Sequence, residues 1–302
     1  MLSRRLFVML AGMTAATPSL ALGTAPVGRI ETVPKIGASG SPVPRIRVWL
    51  PADYAPGSRP HRTLYMLDGQ FAFADDSEGV NFAADRRVAA LMATGTIPPT
   101  LIVAIDHIEG DRFLQYMPQA IYDAGGAGVR GVVDREVRRV GKTALVSAPF
   151  IRFVAEELKL FVDARYGTSP DRRGTAIFGA SMAGLAAGAL FVEAPQVFGR
   201  AGCMSPNWPV YDARMIDLPG LPQVWADYFA RLGPPAERRL WLDHGTQMMD
   251  AGMAPHQTAI ANRLTDLGWQ RGCDLQTRVY DAGHAFAQTA TQMDEMLAWL
   301  LA

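Results

Sequence analysis

The stretch Thr175–Leu190, TAIFGASMAGLAAGAL, is the one around which the rest of the chain is organised. It opens on apolar and β-branched residues that predict a short buried strand, and the small and apolar residues after Met182 predict a helix. Ser181 then lies on a sharp corner between strand and helix. A serine in so strained a corner needs small neighbours two residues before and two after, and Gly179 and Ala183 meet that need.

A serine on such a corner is typical of the G-x-S-x-G nucleophile elbow of α/β-hydrolases. Ala183 stands where the motif has its second glycine. The alternative is that Ser181 is the N-cap of an ordinary helix. The two interpretations differ in what else the chain must contain, because a nucleophilic serine needs a base, an acid and donors for an oxyanion.

Length and charge restrict the class of protein. The chain has 302 residues, and we expect one large α/β domain over residues 24–302. Lys plus Arg number 29 and Asp plus Glu number 29, which argues against nucleic acid or an anionic membrane as the main partner. Cys203 and Cys273 form no metal-ligand cluster. Two buried free thiols are favoured over one disulfide, and no metal or organic cofactor is predicted.

The first residues have the features of an export signal. Ser3-Arg4-Arg5-Leu6-Phe7 resembles a twin-arginine signal, and the apolar run after it is too short to span a bilayer. We expect residues 1–23 to be removed, so that the protein acts in the periplasm or is secreted. A paired arginine also occurs in ordinary secretory signals, and that route remains the alternative.

Hydrophobic patterns predict a mainly parallel sheet. Continuous apolar runs such as Thr100–Asp106 are typical of strands covered on both faces, whereas Arg45–Leu50 alternates as a half-exposed antiparallel strand should. Strands and helices alternate through the second half of the chain. The predicted strands are Arg29–Lys35, Val43–Leu50, Arg62–Leu67, Thr100–Asp106, Thr175–Phe178, Arg200–Met204, Leu240–Asp243 and Leu275–Tyr280. Besides the elbow helix, the predicted helices are Asn81–Thr94, Ala148–Tyr166, His256–Leu267 and Ala285–Leu301.

Residues 107–147 have no clear period and contain much glycine. This segment is too long for a plain connection, so we expect a loop or cap over the site. A solvated surface excursion is the alternative. Its basic side chains, which could form a rim of the site, are Arg130, Arg135, Arg138, Arg139 and Lys142.

The catalytic partners of Ser181 are sought in the order serine, acid, histidine that α/β-hydrolases follow. His284 comes directly after the last predicted strand, in the loop where this fold supplies its base. The acid is expected after the preceding strand, which offers Asp243 and Asp250. Asp250 is favoured because it lies in the loop, whereas Asp243 belongs to the strand end.

Two backbone N–H groups are candidates for an oxyanion hole. Met182 follows the nucleophile at a helix N-terminus, where the dipole favours negative charge. Gln70 follows the strand that ends at Asp68-Gly69. The alternative for Asp68-Gly69 is a simple turn.

Aromatic residues stand just beyond the predicted C-terminal ends of several strands, where α/β sheets bind ligands. We expect Phe71, Phe73, Trp208 and Phe286 to give flat apolar walls for a neutral or aromatic ester. The alternative is that Phe71 and Phe286 only pack against the helices that follow them.

Several of these segments in combination resemble the Putative esterase family of α/β-hydrolases, which includes enterochelin esterases, S-formylglutathione hydrolases and mycolyltransferases. The resemblance covers roughly Val43–Leu301. The segments that carry it are Tyr65–Gln70, Ala155–Tyr166, the elbow, Gly245-Thr246 with Asp250, and Gly283-His284.

The resemblance implies an α/β-hydrolase fold with a mostly parallel eight-stranded sheet and helices on both faces. It also implies a Ser181–His284–Asp250 triad and an oxyanion hole made by the N–H groups of Gln70 and Met182. The expected function is that of an exported serine hydrolase that cleaves a small carboxylic ester through an acyl-enzyme. An acyltransferase with the same triad and a non-catalytic binding protein that kept the fold remain the alternatives.

Overall fold

The computed structural model describes residues 28–36, 43–57, 60–74, 76, 80–211 and 218–302. The predicted export signal, residues 1–23, lies outside these ranges, and so does its expected cleavage site. None of the helices in the described ranges combines the length and apolarity needed to cross a membrane.

An eight-stranded sheet forms the centre of the molecule. Its strands are β1 Gly28–Thr32, β2 Ile46–Pro51, β3 Arg62–Leu67, β4 Thr100–Ile105, β5 Thr175–Ala180, β6 Arg200–Met204, β7 Arg239–Gly245 and β8 Leu275–Tyr280. They lie in the order β1-β2-β4-β3-β5-β6-β7-β8. β2 is antiparallel to both β1 and β4, and all other neighbours are parallel. The predicted α/β-hydrolase sheet is thus confirmed, and β3 to β8 all end at one edge of it.

Helices cover both faces of the sheet, as predicted. Alternate side chains of a strand point to opposite faces. Tyr65 and Leu67 of β3 accordingly pack into one apolar layer, and Leu64 and Met66 pack into the other. The α-helices in the described ranges are α1 Ala84–Ala93, α2 Arg112–Tyr116, α3 Gln119–Ala124, α4 Gly126–Arg139, α5 Ser147–Arg152, α6 Lys159–Tyr166, α7 Met182–Glu193, α8 Leu221–Ala230, α9 Ala254–Asp266 and α10 Phe286–Leu301.

Strand β2 departs from the predicted half-exposed pattern, because all six of its residues are buried. Arg47 is the polar residue that suggested an exposed face. Its guanidinium donates to Asp76 Oδ1 at 2.7 Å and lies 5.0 Å from the centre of the Phe73 ring. The ion pair with Asp76 and the contact with the Phe73 ring therefore allow Arg47 to be buried at a position where the alternating sequence pattern predicted a solvent-exposed side chain.

The segment 107–147 is helical rather than a loop. It contains α2, α3 and α4, and the apolar side chains of α4 pack into the same layer as those of the elbow helix α7. The predicted helix Ala148–Tyr166 is continuous, but a π-helical stretch, Phe153–Leu158, joins α5 to α6. Both cysteines are free; Cys203 is buried as predicted, whereas Cys273 is exposed.

Candidate active site

Ser181 lies on the corner between β5 and α7, with φ 58° and ψ −125°. This left-handed conformation is strained for any residue other than glycine. Backbone hydrogen bonds on both sides maintain it. The Ser181 N–H donates to Met204 O at 3.0 Å, and the Ser181 carbonyl accepts from Gly184 N at 3.0 Å and Asn207 N at 3.2 Å.

The corner leaves no room for a side chain at position 179. A Cβ added to Gly179 would lie 2.1 Å from Ala183 O, so glycine is required there. Ala183, which replaces the usual glycine of the motif, is fully buried in the apolar layer under α7. Ser181 makes no side-chain cap to the helix. Ser181 thus occupies the N-cap position of α7 without capping the helix, and its hydroxyl faces His284 instead.

Three side chains from the loops after β5, β7 and β8 form a hydrogen-bonded relay. Ser181 Oγ lies 2.8 Å from His284 Nε2, and His284 Nδ1 lies 2.6 Å from Asp250 Oδ1. An ionised carboxylate only accepts hydrogen bonds, so Nδ1 carries the ring proton and Nε2 is left as an acceptor. The serine hydroxyl therefore donates to Nε2, which is the arrangement needed to remove its proton.

The second oxygen of Asp250 is held by two donors. Oδ2 accepts a 2.9 Å hydrogen bond from Gly245 N–H and another from Ser205 Oγ. Burial alone would raise the pKa of Asp250, but the hydrogen bonds from His284, Ser205 and Gly245 outweigh it and leave the pKa below its usual range. Asp250 is thus ionised and can stabilise a protonated imidazole.

Asp243, the other candidate acid, lies in β7 and is fully buried. Its oxygens accept hydrogen bonds from Trp241 Nε1 at 2.6 Å and from Ser205 N–H at 2.7 Å. Burial raises the pKa of Asp243 to about 7. Of the two acids, it is Asp250 that the structure brings to His284.

The candidate oxyanion donors lie at the ends of β5 and β3. Met182 is the first residue of α7, so its N–H belongs to the turn in which a helix leaves donors without an acceptor four residues back. Gln70 is the middle residue of a 3₁₀ turn, Gly69–Phe71, directly after β3. A Cβ at Gly69 would lie 2.5 Å from Ile105 N, so this turn packs directly on the end of β4. The chain does turn at Asp68-Gly69, as the alternative holds. A simple turn does not explain, however, why this segment packs so closely on β4.

A cavity of about 210 Å³ opens beside Ser181 and His284. Phe71, Phe82 and Phe286 form its apolar wall, with ring centres 5.6 Å apart for Phe71 and Phe286 and 4.4 Å apart for Phe82 and Phe286. Its lining residues are Asp68, Phe71, Phe82, Arg112, Ala180, Ser181, Ser205, His284, Ala285, Phe286 and Thr289.

An ion pair forms the polar side of the cavity. Arg112 of α2 binds Asp68 through Nε to Oδ1 at 3.0 Å and Nη2 to Oδ2 at 2.5 Å. Asp68 also lies 2.8 Å from His107 Nδ1. Burial alone would raise the pKa of Asp68, but its bonds to His107 and Arg112 outweigh that effect and lower it. The guanidinium in the cavity is thus neutralised by an ionised carboxylate.

Two of the predicted aromatic walls lie elsewhere. Trp208 is fully buried, with its ring 4.8 Å from Trp225 and 5.7 Å from Phe229, because the chain turns into the core within four residues of Met204, where β6 ends. Phe73 is also fully buried. They are core residues, whereas Phe71 and Phe286 reach the cavity as predicted.

Sequence reasoning missed Phe82, Arg112 and Ser205 at this cavity. Ser205 comes directly after β6, and that position could have identified it. Arg112 comes from the segment whose basic residues were expected to form a rim, but the named ones do not line the cavity. Instead Arg139 pairs with Glu136 and Lys142 pairs with Asp111.

Residues 42–300 match the sequence family described as "Putative esterase". The chain belongs to this family. Its reaction class is accordingly the hydrolysis of carboxylic esters, and the predicted family resemblance is confirmed. No curated protein sequence matches the chain.

Solved structures of esterases share the fold at low sequence identity. A ferulic acid esterase has a TM-score of 0.61 and 16% identity, over 91% of this chain and 98% of that one. The enterobactin hydrolase IroE, solved with DFP, has a TM-score of 0.60 and 16% identity over 92% and 97%. The enterochelin esterase of Shigella flexneri has a TM-score of 0.57 and 21% identity over 85% and 54%, so this chain spans about half of that protein.

Proposed function

We propose that this esterase is a serine hydrolase in which Ser181 is the nucleophile, His284 the base and Asp250 the acid that orients it. The observation that carries the proposal is the relay from Ser181 Oγ through His284 to Asp250, with distances of 2.8 and 2.6 Å, beside an apolar cavity. Serine is a weak nucleophile at neutral pH, and an adjacent oriented imidazole is what activates it.

The reaction proceeds in two halves. Ser181 Oγ attacks the ester carbonyl while His284 Nε2 takes the hydroxyl proton, and the imidazolium then gives that proton to the departing alcohol. The acyl group remains on Ser181. Water, deprotonated by His284, attacks the acyl-enzyme and releases the acid, while Asp250 stabilises the imidazolium in both halves.

The negative charge of each tetrahedral intermediate is stabilised by backbone donors. The N–H of Met182 and the N–H of Gln70 are the proposed pair, at the ends of neighbouring parallel strands. Fixed donors in a water-poor site stabilise developing charge strongly, because they need no reorganisation during the reaction.

The substrate is proposed to be a small neutral ester that carries an aromatic group. Three phenyl rings offer flat apolar surface to such a group. The cation in the cavity, Arg112, is already bound twice by Asp68 and therefore attracts an anionic ester only weakly.

Asp68→Asn tests this neutralisation. The substitution removes the negative charge but suits the left-handed conformation at this position, φ 54°, which asparagine tolerates. We expect kcat/KM for an anionic aryl ester, divided by that for a matched neutral ester, to rise about tenfold, or about 1.4 kcal/mol. The matched control is Asp85→Asn, which removes a carboxylate bonded to Ala74 N–H outside the cavity lining. An unchanged ratio in Asp68→Asn would show that Asp68 does not screen Arg112.

Export to the periplasm or beyond is proposed from the N-terminal sequence alone. If the twin-arginine route is used, replacing Arg4 and Arg5 together by lysine should leave the precursor in the cytoplasm. Fractionation of cells that express the tagged full-length chain measures this. Normal export of the double variant would instead indicate the general secretory route.

A panel of aryl esters tests the proposed function. Neutral esters with short, long and aromatic acyl groups should be hydrolysed, with kcat/KM highest for those that carry an aromatic group. A tenfold preference for the matched anionic ester would contradict the proposed pocket. Product analysis with an added acceptor alcohol distinguishes hydrolysis from acyl transfer, because a transferase would release the acyl group as a new ester.

A further inference from the structure

Ser205 connects two carboxylates that lie on either side of it. It follows β6 directly, is 6% exposed and has a left-handed backbone, φ 39°. Its backbone N–H donates to Asp243 Oδ1 at 2.7 Å, and its hydroxyl donates to Asp250 Oδ2. One residue thus contacts both the acid that faces His284 and the buried acid that the proposed mechanism does not use.

The contact with Asp243 fixes the backbone of Ser205. Asp243 is itself held in β7, where its second oxygen accepts a 2.6 Å hydrogen bond from Trp241 Nε1. A non-glycine residue in the left-handed region persists only where its surroundings hold it there. The buried carboxylate of Asp243 is therefore an anchor that directs the Ser205 hydroxyl toward Asp250.

We propose that Ser205 is a positioning residue: its hydroxyl fixes the rotation of the Asp250 carboxylate, so that Oδ1 faces His284 Nδ1. The inference rests on the proposed serine-hydrolase function. Without this hydroxyl, Oδ2 keeps only the Gly245 N–H donor, and one donor does not define the plane of a carboxylate as well as two. A small rotation there misplaces the imidazole and lowers the turnover rate.

Ser205 also lines the cavity, so the competing interpretation is direct contact with substrate. The two roles separate kinetically. A substrate contact made in both ground and transition states changes KM, whereas a residue that acts through Asp250 changes kcat. The two roles also differ in whether the effects of two substitutions multiply. If Ser205 acts through Asp250, removing its hydroxyl should lower kcat little once Asp250 has been replaced, whereas the loss of a direct substrate contact should lower it as much as before.

The experiment compares Ser205→Ala and Ser205→Gly with the unmodified enzyme on one neutral aryl ester. We expect kcat to fall about 10- to 100-fold with KM within about twofold, and little further fall when Ser205→Ala is added to Asp250→Asn. Ser205→Gly suits the left-handed backbone and keeps the test valid if Ser205→Ala folds poorly. The matched control is Ser147→Ala, which removes a buried serine hydroxyl outside the cavity lining and should leave kcat unchanged.

Three results would overturn the inference. The first is an unchanged kcat in Ser205→Ala, and the second is a change in KM without a change in kcat. The third is a double variant, Ser205→Ala with Asp250→Asn, whose kcat falls by the product of the two single effects. An unmodified enzyme that hydrolyses no ester would instead overturn the proposed function. In that case the low-field proton resonance of His284 Nδ1–H still tests Ser205 without substrate. The signal should shift or broaden in Ser205→Ala but not in Ser147→Ala, and an unshifted signal would overturn the inference.

Discussion

Ser181→Ala is expected to lower kcat for an aryl ester about a millionfold, because in the proposed mechanism the members of the triad act as a unit and Ser181 supplies the covalent path. Its fold should persist, since alanine keeps the Cβ at the strained corner and loses only the hydroxyl that faces His284. KM for residual hydrolysis should change little, because the apolar wall of the cavity is intact.

The measurement is steady-state hydrolysis of one aryl ester by Ser181→Ala and by the unmodified enzyme, with circular dichroism to verify the fold. The matched control is Ser147→Ala, which removes the hydroxyl of a buried serine outside the cavity lining and should not affect the rate. A Ser181→Ala protein that retains a substantial part of the activity would rule out Ser181 as the nucleophile.

Asp250→Asn is expected to lower kcat by about four orders of magnitude by reversing the tautomer of His284. Two donors, Gly245 N–H and Ser205 Oγ, face Oδ2 and will hold the amide oxygen of the new asparagine. Its amide NH₂ then points at His284 Nδ1, which must become an acceptor. The ring proton moves to Nε2, and the imidazole can no longer take the proton of Ser181.

Asp243→Asn is the matched control for this prediction. It makes the same chemical change in the other candidate acid and keeps an oxygen that can accept from Ser205 N–H. Turnover should fall far less, although the new amide disturbs the contact with Trp241 and lowers stability. If Asp243→Asn lowered the turnover more than Asp250→Asn, Asp243 would be the acid, and the assigned fold would still hold.

Parallel topology explains why the sequence predicted which residues meet at the site. Ser181, Asp250 and His284 each follow a different parallel strand, and such strands end at one edge of the sheet. Chain order and a position after the strand were therefore enough to bring them together before any distance was known.

Position after a strand does not by itself decide whether a side chain reaches the site. Ser205 comes directly after β6 and reaches the cavity, whereas Trp208, three residues further on, has turned into the core. Hydrophobicity alone does not distinguish a wall residue from a core residue, because both are large and apolar.

Tertiary pairing accounts for what the patterns missed. Arg47 in β2 and Arg112 in α2 would both be predicted from sequence to lie on the surface. Each instead forms an ion pair with a carboxylate far away in the chain, Arg47 with Asp76 and Arg112 with Asp68.

The short helices α2 and α3 have no repeating apolar period long enough to recognise. Helix α8, also unpredicted, has a proline in its first turn and aromatic residues that favour strands as much as helices.

Covalent labelling with a fluorophosphonate tests the central claim, that Ser181 is a nucleophile activated by His284, most directly. The reagent should add one phosphonyl group per chain, and peptide mass spectrometry should locate it on Ser181. Ser181→Ala should take up no label, and Asp250→Asn should react much more slowly. A label on another residue, or ester hydrolysis that continues after Ser181 has been fully labelled, would contradict the account.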